Sequence, residues 1–311
     1  MIAALRGRDF LTLRDFSGDE ILEILKLAKK VKGSRKMFRD ALDGKGVAMI
    51  FEKPSTRTRI SFEMAVSELG GTPIYLRPME MQLKRGESLA DTARVLSRYV
   101  SLIMARVYEY ETLVELARWA EIPVVNGLSN LNHPLQTLAD LLTIWERFGR
   151  LKGVKVAWVG DGNNVCNSLL VGAAKLGLNV AVATPRGYEP NKEFVDEALR
   201  ESERSGSRIE FYEDPVEAVS DADVVMTDTF VSMGMEAEAE ERLRVFLPRY
   251  QVTADLMRHA KPDAIFMHPL PAHRGQEVSA EVIDGERSAV WDQAENRLHT
   301  SKALLLMLLG S

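Results

Sequence analysis

The stretch VAMIFEKPSTRTRISFEMAVSELGGTPIYL, residues 47–76, holds one repeat of the architecture. Residues 47–51 form a short apolar run that reads as a buried strand. Pro54 follows it, and Ser55 stands where a helix N-cap belongs. A helical pattern runs over residues 56–69 and stops at Gly70-Gly71, a plausible helix terminus. Another apolar run follows at residues 74–76. Strands that alternate with helices predict a parallel sheet with helices on its faces.

The same alternation extends in both directions. Upstream, Ser17 is positioned to cap a helix whose Ile21, Leu22, Ile24, Leu25 and Ala28 share one face. Downstream, apolar runs recur at residues 102–105 and 124–125, and residues 134–148 read as one long helix. Lys152-Gly153 opens a second series, with strands expected at 154–159, 180–183, 209–212, 224–227 and 264–267. A leucine-rich helix is expected over 293–309. The fold class is therefore α/β, with two similar domains, each a parallel sheet flanked by helices. The expected first domain is 1–148 with the C-terminal helix 293–311, and the second is 149–292.

Composition agrees with this division. The chain has 311 residues, which at about 150 residues per domain suggests two domains. Lys plus Arg number 40 and Asp plus Glu 45, a net charge of -5, too mild to indicate a nucleic-acid partner. Cys166 is the single cysteine, so an intramolecular disulfide is impossible. No apolar run approaches the roughly 18–20 residues of a membrane span, and the first residues lack a signal-peptide pattern. These features predict a cytoplasmic protein with no membrane partner.

Five segments carry candidate chemistry. The first is residues 51–63, where Ser55, Thr56, Arg57 and Thr58 sit at the start of a helix. Open backbone N–H groups, hydroxyls and a guanidinium converge there, which suits a phosphate. Arginines in a first turn oppose the helix dipole unless an anion is present. The second is NHPLQTLADLL, residues 132–142: Pro134 suits the first helical position, leaving His133 at the cap and Gln136 on the first turn. The third is IFMHPLPAHRG, residues 265–275, in which Pro269 and Pro271 predict an extended, rigid loop at a strand's C-terminal end. Ligands of open α/β sheets bind at that end.

The fourth is VVMTDTFVSMGME, residues 224–236, where Asp228 and Ser232 could receive an ammonium group. The fifth is VGDGNNVCNSLL, residues 159–170, which resembles half of a dinucleotide fingerprint. Val165 replaces the third glycine and no acid ends the next strand, which argues against NAD. Asn163 and Asn164 present amides instead, and Cys166 is expected to pack as a small hydrophobe.

Taken together, STRTR at 55–59, the Arg106 region, HPLQ at 133–136 and HPLP at 268–271 resemble the aspartate/ornithine carbamoyltransferase family along nearly the whole chain. Asp228 followed by Ser232-Met233-Gly234 is similar to the ornithine branch, as are Asn163 and Asn164 after Gly-Asp-Gly. The resemblance implies transfer of the carbamoyl group of carbamoyl phosphate to the side-chain amine of ornithine, giving citrulline and phosphate, without metal or organic cofactor. It implies that the first domain binds carbamoyl phosphate through Ser55, Thr56, Arg57, Thr58, Gln82, Arg106, His133, Gln136 and Arg297, with Pro269 and the Leu270 carbonyl of the second. Thr58, Arg106 and His133 are the implied catalytic residues. Asn164, Asp228, Ser232 and Met233 are the implied ornithine contacts. Gln82 matches a loop residue that in the family reaches a neighbouring subunit's site, which implies a homotrimer or a multiple of trimers.

One motif points elsewhere. Ornithine enzymes usually read His-Cys-Leu-Pro where this chain reads His268-Pro269-Leu270-Pro271, the aspartate branch's form. Aspartate or another acceptor, and a non-catalytic metabolite-binding homologue, are the competing expectations. An acidic Asp228 would repel a second substrate carboxylate and attract an α-ammonium, which favours ornithine.

Overall fold

The computed structural model describes residues 5–82, 86–232 and 234–310. Two compact units emerge, Met1–Leu142 with Glu295–Ser311, and Thr143–Ala294. Each is built from βα repeats around a fully parallel sheet.

The first unit opens with α1 (Gly18–Gly33), started by Ser17 in a capping box with Glu20. Then come β1 (Gly46–Phe51), α2 (Thr56–Glu68), β2 (Thr72–Leu76), α3 (Leu89–Tyr99), β3 (Leu102–Arg106), α4 (Tyr110–Trp119), β4 (Val124–Leu128) and α5 (Pro134–Phe148). The helix α5 has the expected bounds and continues past Leu142 into the second unit. Gly70 adopts a φ of +85° and ends α2, as the Gly70-Gly71 pair predicted.

The second unit continues with β5 (Lys155–Val159), α6 (Asn164–Lys175), β6 (Asn179–Ala183), α7 (Lys192–Ser205), β7 (Ile209–Tyr212), α8 (Pro215–Val219) and β8 (Val224–Met226). It is completed by α9 (Ala239–Phe246), α10 (Ala254–Met257), β9 (Ile265–Met267) and α11 (Ala280–Ile283). The last helix, α12 (Val290–Leu309), begins three residues before the expected 293 and crosses back into the first unit at Glu295.

The inner strands of each sheet are apolar, as burial on both faces demands, whereas the edge strands β2 and β7 are more open. In the first unit Ala48, Ile50, Ile103, Ala105 and Val124 pack with Ala93, Leu113 and Leu116 of α3 and α4. In the second, Ala157, Val159, Ala181, Val225 and Phe266 form the equivalent core.

Strand order matters most for function. It is β2-β1-β3-β4 in the first unit and β7-β6-β5-β8-β9 in the second. In each, the chain reverses its direction of travel across the sheet beside the unit's first strand. The loops leaving β1 and β3, and those leaving β5 and β8, therefore diverge at a topological switch point. Such a point opens a crevice at the carboxyl ends of the strands, where α/β sheets bind ligands.

Candidate active site

At the first unit's switch point, the loop after β1 leads straight into the Ser55-to-Arg59 segment. The Ser55 hydroxyl oxygen accepts from Thr58 N–H at 3.2 Å and caps α2, whose first turn contains no acid. Two hydrogen bonds fix this loop to the one after β3. Glu52 N–H donates to the Arg106 carbonyl at 2.9 Å, and the Glu52 carboxylate accepts from Tyr108 N–H at 2.9 Å.

Arg106 ends β3 at a register shift between Ala105 and Arg106 against β4. Such an irregularity re-aims a side chain. Gly127 makes the close approach possible, since a Cβ there would lie 2.5 Å from Met104 Sδ and 3.1 Å from the Ala105 carbonyl oxygen.

Two guanidiniums then meet on buried Thr58, and one of them leads on to two further side chains. Arg106 Nη1 lies 3.5 Å from Thr58 Oγ1, and Arg297 Nη2 donates to the same oxygen at 3.1 Å. Arg297 Nη1 donates to Gln136 Oε1 at 2.6 Å, and Gln136 Nε2 donates to Asp140 Oδ1 at 2.8 Å. The His133 carbonyl accepts from Gln136 N–H at 3.0 Å, which puts His133 at the head of α5 as the sequence predicted.

The electrostatics are those of a crowded cation site. Burial, with Arg106 and Arg57 beside it, pulls the Arg297 guanidinium down to about 9 against the opposing pull of Asp140. Burial, then Arg297 and Arg106, hold His133 well below its ordinary 6.5, so its imidazole is neutral at pH 7. Three guanidiniums facing one another are costly unless an anion sits among them.

The remaining predicted residues of this unit divide. Ser55 and Arg57 are half-buried beside Thr58, whereas Thr56 is exposed. Gln82 is exposed, its carbonyl accepting from Glu87 N–H at 3.3 Å, and among the described residues it makes no hydrogen bond to the cluster. Arg59 serves the fold, stacking 3.7 Å above the Tyr75 ring and pairing with Glu63.

The second unit's switch point gathers different groups. Asn163 caps α6 through its side-chain oxygen, which accepts from Val165 and Cys166 N–H. Its amide Nδ2 donates to Asp228 Oδ2 at 2.9 Å, joining the loop after β5 to the loop after β8. Asp228 Oδ1 accepts from Thr229 N–H at 2.8 Å. Burial raises the Asp228 carboxyl, opposed by His268 and by the Thr229 and Asn163 hydrogen bonds. Asn164, half-buried, is the first residue of α6, and Ser232 is half-buried beyond Asp228. Met233 lies outside the described residues. Cys166 is buried within α6, and burial pushes its thiol well above the usual range, consistent with an inert packing role.

His268, Pro269 and Leu270 leave β9. The expected fully extended path is not observed: Leu270 has φ +57°, in the left-handed region. The local cause is a tight turn in which Leu270 N–H donates to His268 Nδ1 at 2.8 Å. His268 is fully buried, and its Nε2 lies 3.1 Å from Glu277 Oε1, which also accepts from His273 N–H at 2.6 Å. Glu277 was not singled out by sequence reasoning, since an acid nine residues beyond a histidine in a polar loop carries no periodic signal. Asp140, the partner of Gln136, sits one helical turn after it and was findable from that spacing.

Known proteins resemble the chain over both units. Residues 8–146 match the family description "Aspartate/ornithine carbamoyltransferase, carbamoyl-P binding domain", and residues 152–308 match its "Asp/Orn binding domain". An ornithine carbamoyltransferase of Pyrococcus horikoshii is 56% identical over 312 residues, spanning 100% of this chain and 98% of that protein. One from Bacillus subtilis is 54% identical, over 98% of this chain and 95% of its own. The solved ornithine carbamoyltransferase of Pyrococcus furiosus is 55% identical with a TM-score of 0.95, covering 98% of both chains. That of Giardia lamblia, titled an ornithine transcarbamoylase, is 35% identical with a TM-score of 0.89, covering 97% and 98%. The chain belongs to the aspartate/ornithine carbamoyltransferase family.

Proposed function

We propose that this chain transfers the carbamoyl group of carbamoyl phosphate to the side-chain amine of ornithine, giving citrulline and phosphate. The observation that carries the reading is the meeting of Arg106 and Arg297 on Thr58, with Arg57 close enough to depress Arg297, where an anion relieves their mutual repulsion. The first unit binds carbamoyl phosphate and the second binds ornithine. Ser55, Thr56, Arg57 and Thr58 hold the phosphate, with Gln82 supplied by a neighbouring subunit. Arg297 holds Gln136 in place for the carbamoyl amide, which also donates to the Leu270 carbonyl beside Pro269.

In the transfer, the neutral amine nitrogen forms a bond to the carbonyl carbon, and the bond from that carbon to the phosphate oxygen breaks. Phosphate departs with the bonding electron pair and takes up the proton that the amine loses. Negative charge grows on the carbamoyl oxygen, where Thr58, Arg106 and the neutral His133 stabilise it as an oxyanion hole does. No electrons are exchanged with a third party, so the reading calls for no redox cofactor. Asp228 pairs with the α-ammonium of ornithine, and Asn164, Ser232 and Met233 hold the rest of the acceptor.

The finer readings follow. The enzyme works as a homotrimer or a multiple of one. Exposed Ile60 and Met64 on α2, and Val95 and Tyr99 on α3, support self-association, and the mass in solution checks it. We place it in the cytoplasm, and among the described residues no helix is long and apolar enough to cross a membrane. The biosynthetic direction is supported by the Pyrococcus furiosus relative, which is named anabolic.

The test is product formation from carbamoyl phosphate with ornithine, aspartate, N-acetylornithine and putrescine offered separately. Citrulline from ornithine is expected. Carbamoyl-aspartate instead would make the His-Pro-Leu-Pro motif the better guide to the acceptor, and no product from any acceptor would overturn the reading.

A further inference from the structure

Behind the acceptor site lies a buried ion pair that touches none of the proposed substrate contacts. Arg242, on α9, is 6% exposed. Its Nη2 binds the Asp161 carboxylate, and its Nε donates to the Phe230 carbonyl at 2.5 Å. Its guanidinium carbon lies 5.0 Å from the Tyr188 ring centroid and 5.5 Å from that of Phe246. One side chain therefore ties together the loop after β5, the loop after β8 and the loop after β6.

The positions of those ties matter. Asp161 is two residues before Asn163 and three before Asn164. Phe230 is midway between Asp228 and Ser232. The Phe230 ring stacks on Phe246 with centroids 4.6 Å apart, and it closes on Gly160, where an added Cβ would lie 3.0 Å from the ring. The Asp161 carbonyl accepts from Trp158 Nε1 at 2.9 Å, so the acid is held from the sheet side as well.

Asp161 also feels the Asp228 carboxylate, and burial together with that neighbour pushes its carboxyl up to about 6 against the pull of Arg242. Arg242 is thus the counter-charge of Asp161, the acid that lies closest in sequence to Asn163 and feels Asp228. Burying a full charge costs far more than packing an apolar side chain of the same size. Phe246 and Tyr188 would accept an apolar neighbour readily, so packing alone does not explain a guanidinium here.

We propose that Arg242 is a positioning residue for acceptor binding, fixing the Asp228-to-Ser232 segment against the segment that carries Asn163 and Asn164. The proposal rests on the reading that the second unit holds ornithine. It predicts an effect on one substrate only, because none of the carbamoyl-phosphate contacts of the first unit depends on this pair.

The experiment is steady-state kinetics of R242M, R242K and D161N at pH 8, with each substrate varied in turn. In R242M the ornithine KM rises about tenfold or more, as expected for losing a hydrogen bond to a charged group, while the carbamoyl-phosphate KM stays within twofold. R242K, which keeps the charge but cannot reach Asp161 and Phe230 together, falls between R242M and the parent. Should R242M fail to fold, D161N decides, since it keeps the side-chain shape and removes one charge of the pair. A rise in its ornithine KM alone supports the proposal. An unchanged ornithine KM in the folded variants, or both KM values and kcat shifting together, overturns it. A parent enzyme that makes no citrulline overturns the functional reading instead.

Discussion

The first unit's switch point collects guanidiniums around Thr58, whereas the second collects carboxylates around Asn163. Both sites grow from the same device, two loops diverging from neighbouring parallel strands. What differs is the chemistry loaded onto the loops. In the first unit Arg106 and Arg57 depress Arg297. In the second, burial and the neighbouring Asp228 raise the Asp161 carboxyl, and Arg242 is its counter-charge. A scaffold repeated within one chain thus presents a cationic crevice and an acidic one, and the sign of each predicts its ligand. An anionic donor belongs to the first and an ammonium-bearing acceptor to the second.

Breaking the cationic side should have the largest effect. Arg106→Met removes the guanidinium that the proposed function assigns to the carbamoyl oxygen and phosphate, while roughly keeping side-chain length. Loss of one oxyanion-stabilising donor costs about 10²–10³ in kcat. We expect a fall of that order in kcat/KM for carbamoyl phosphate, read by citrulline production, with a circular-dichroism spectrum like the parent's. A loss below tenfold would remove Arg106 from the reacting group.

Breaking the acidic side should cost less and on the other substrate. Asp228→Asn keeps the size and can still meet the Asn163 amide, but it removes the charge that the proposed function pairs with the α-ammonium. A hydrogen bond to a charged group is worth about 1.5–3 kcal/mol, or roughly 10- to 150-fold in affinity. The ornithine KM should rise within that range, with carbamoyl-phosphate binding by calorimetry unaltered. An unchanged ornithine KM would sever Asp228 from the acceptor and leave the contrast between the two crevices without its functional meaning.

The two sides also differed in how far they could be read from sequence. STRTR announces itself because an arginine-bearing first turn works against the helix dipole, and Pro134 alone suffices to place His133 at a helix head. Strand positions came from apolar runs, which survive in any parallel sheet buried on both faces. Asp228 and Asn163 are 65 residues apart, and only the order β7-β6-β5-β8-β9 brings them within 2.9 Å. Arg297 joins Thr58 from a distance of 239 residues for the same kind of reason. The path after Pro269 was misjudged because proline rules describe local sterics, whereas the His268 ring accepts a backbone N–H and curls the chain at Leu270.

The contrast can be sharpened most finely through His133, whose neutrality is a property of the cationic crevice. Its imidazole is held well below 6.5 by burial and by Arg297 and Arg106. Between that lowered value and 6.5 the unfolded chain binds a proton that the folded chain does not. The stability this group contributes is therefore present above pH 6.5 and is lost as pH falls toward the folded value. His133→Gln keeps a neutral donor of similar reach and removes the titration, so its melting temperature should fall less than the parent's between pH 7 and pH 5. The parent's kcat/KM for carbamoyl phosphate should show no inflection at 6.5, because the neutral ring persists below that pH. An inflection there that disappears in His133→Gln would mean the imidazole titrates as a solvated histidine. The guanidiniums around Thr58 would then be too far from the ring to set its charge, and the first crevice would lose the feature that most distinguishes it from the second.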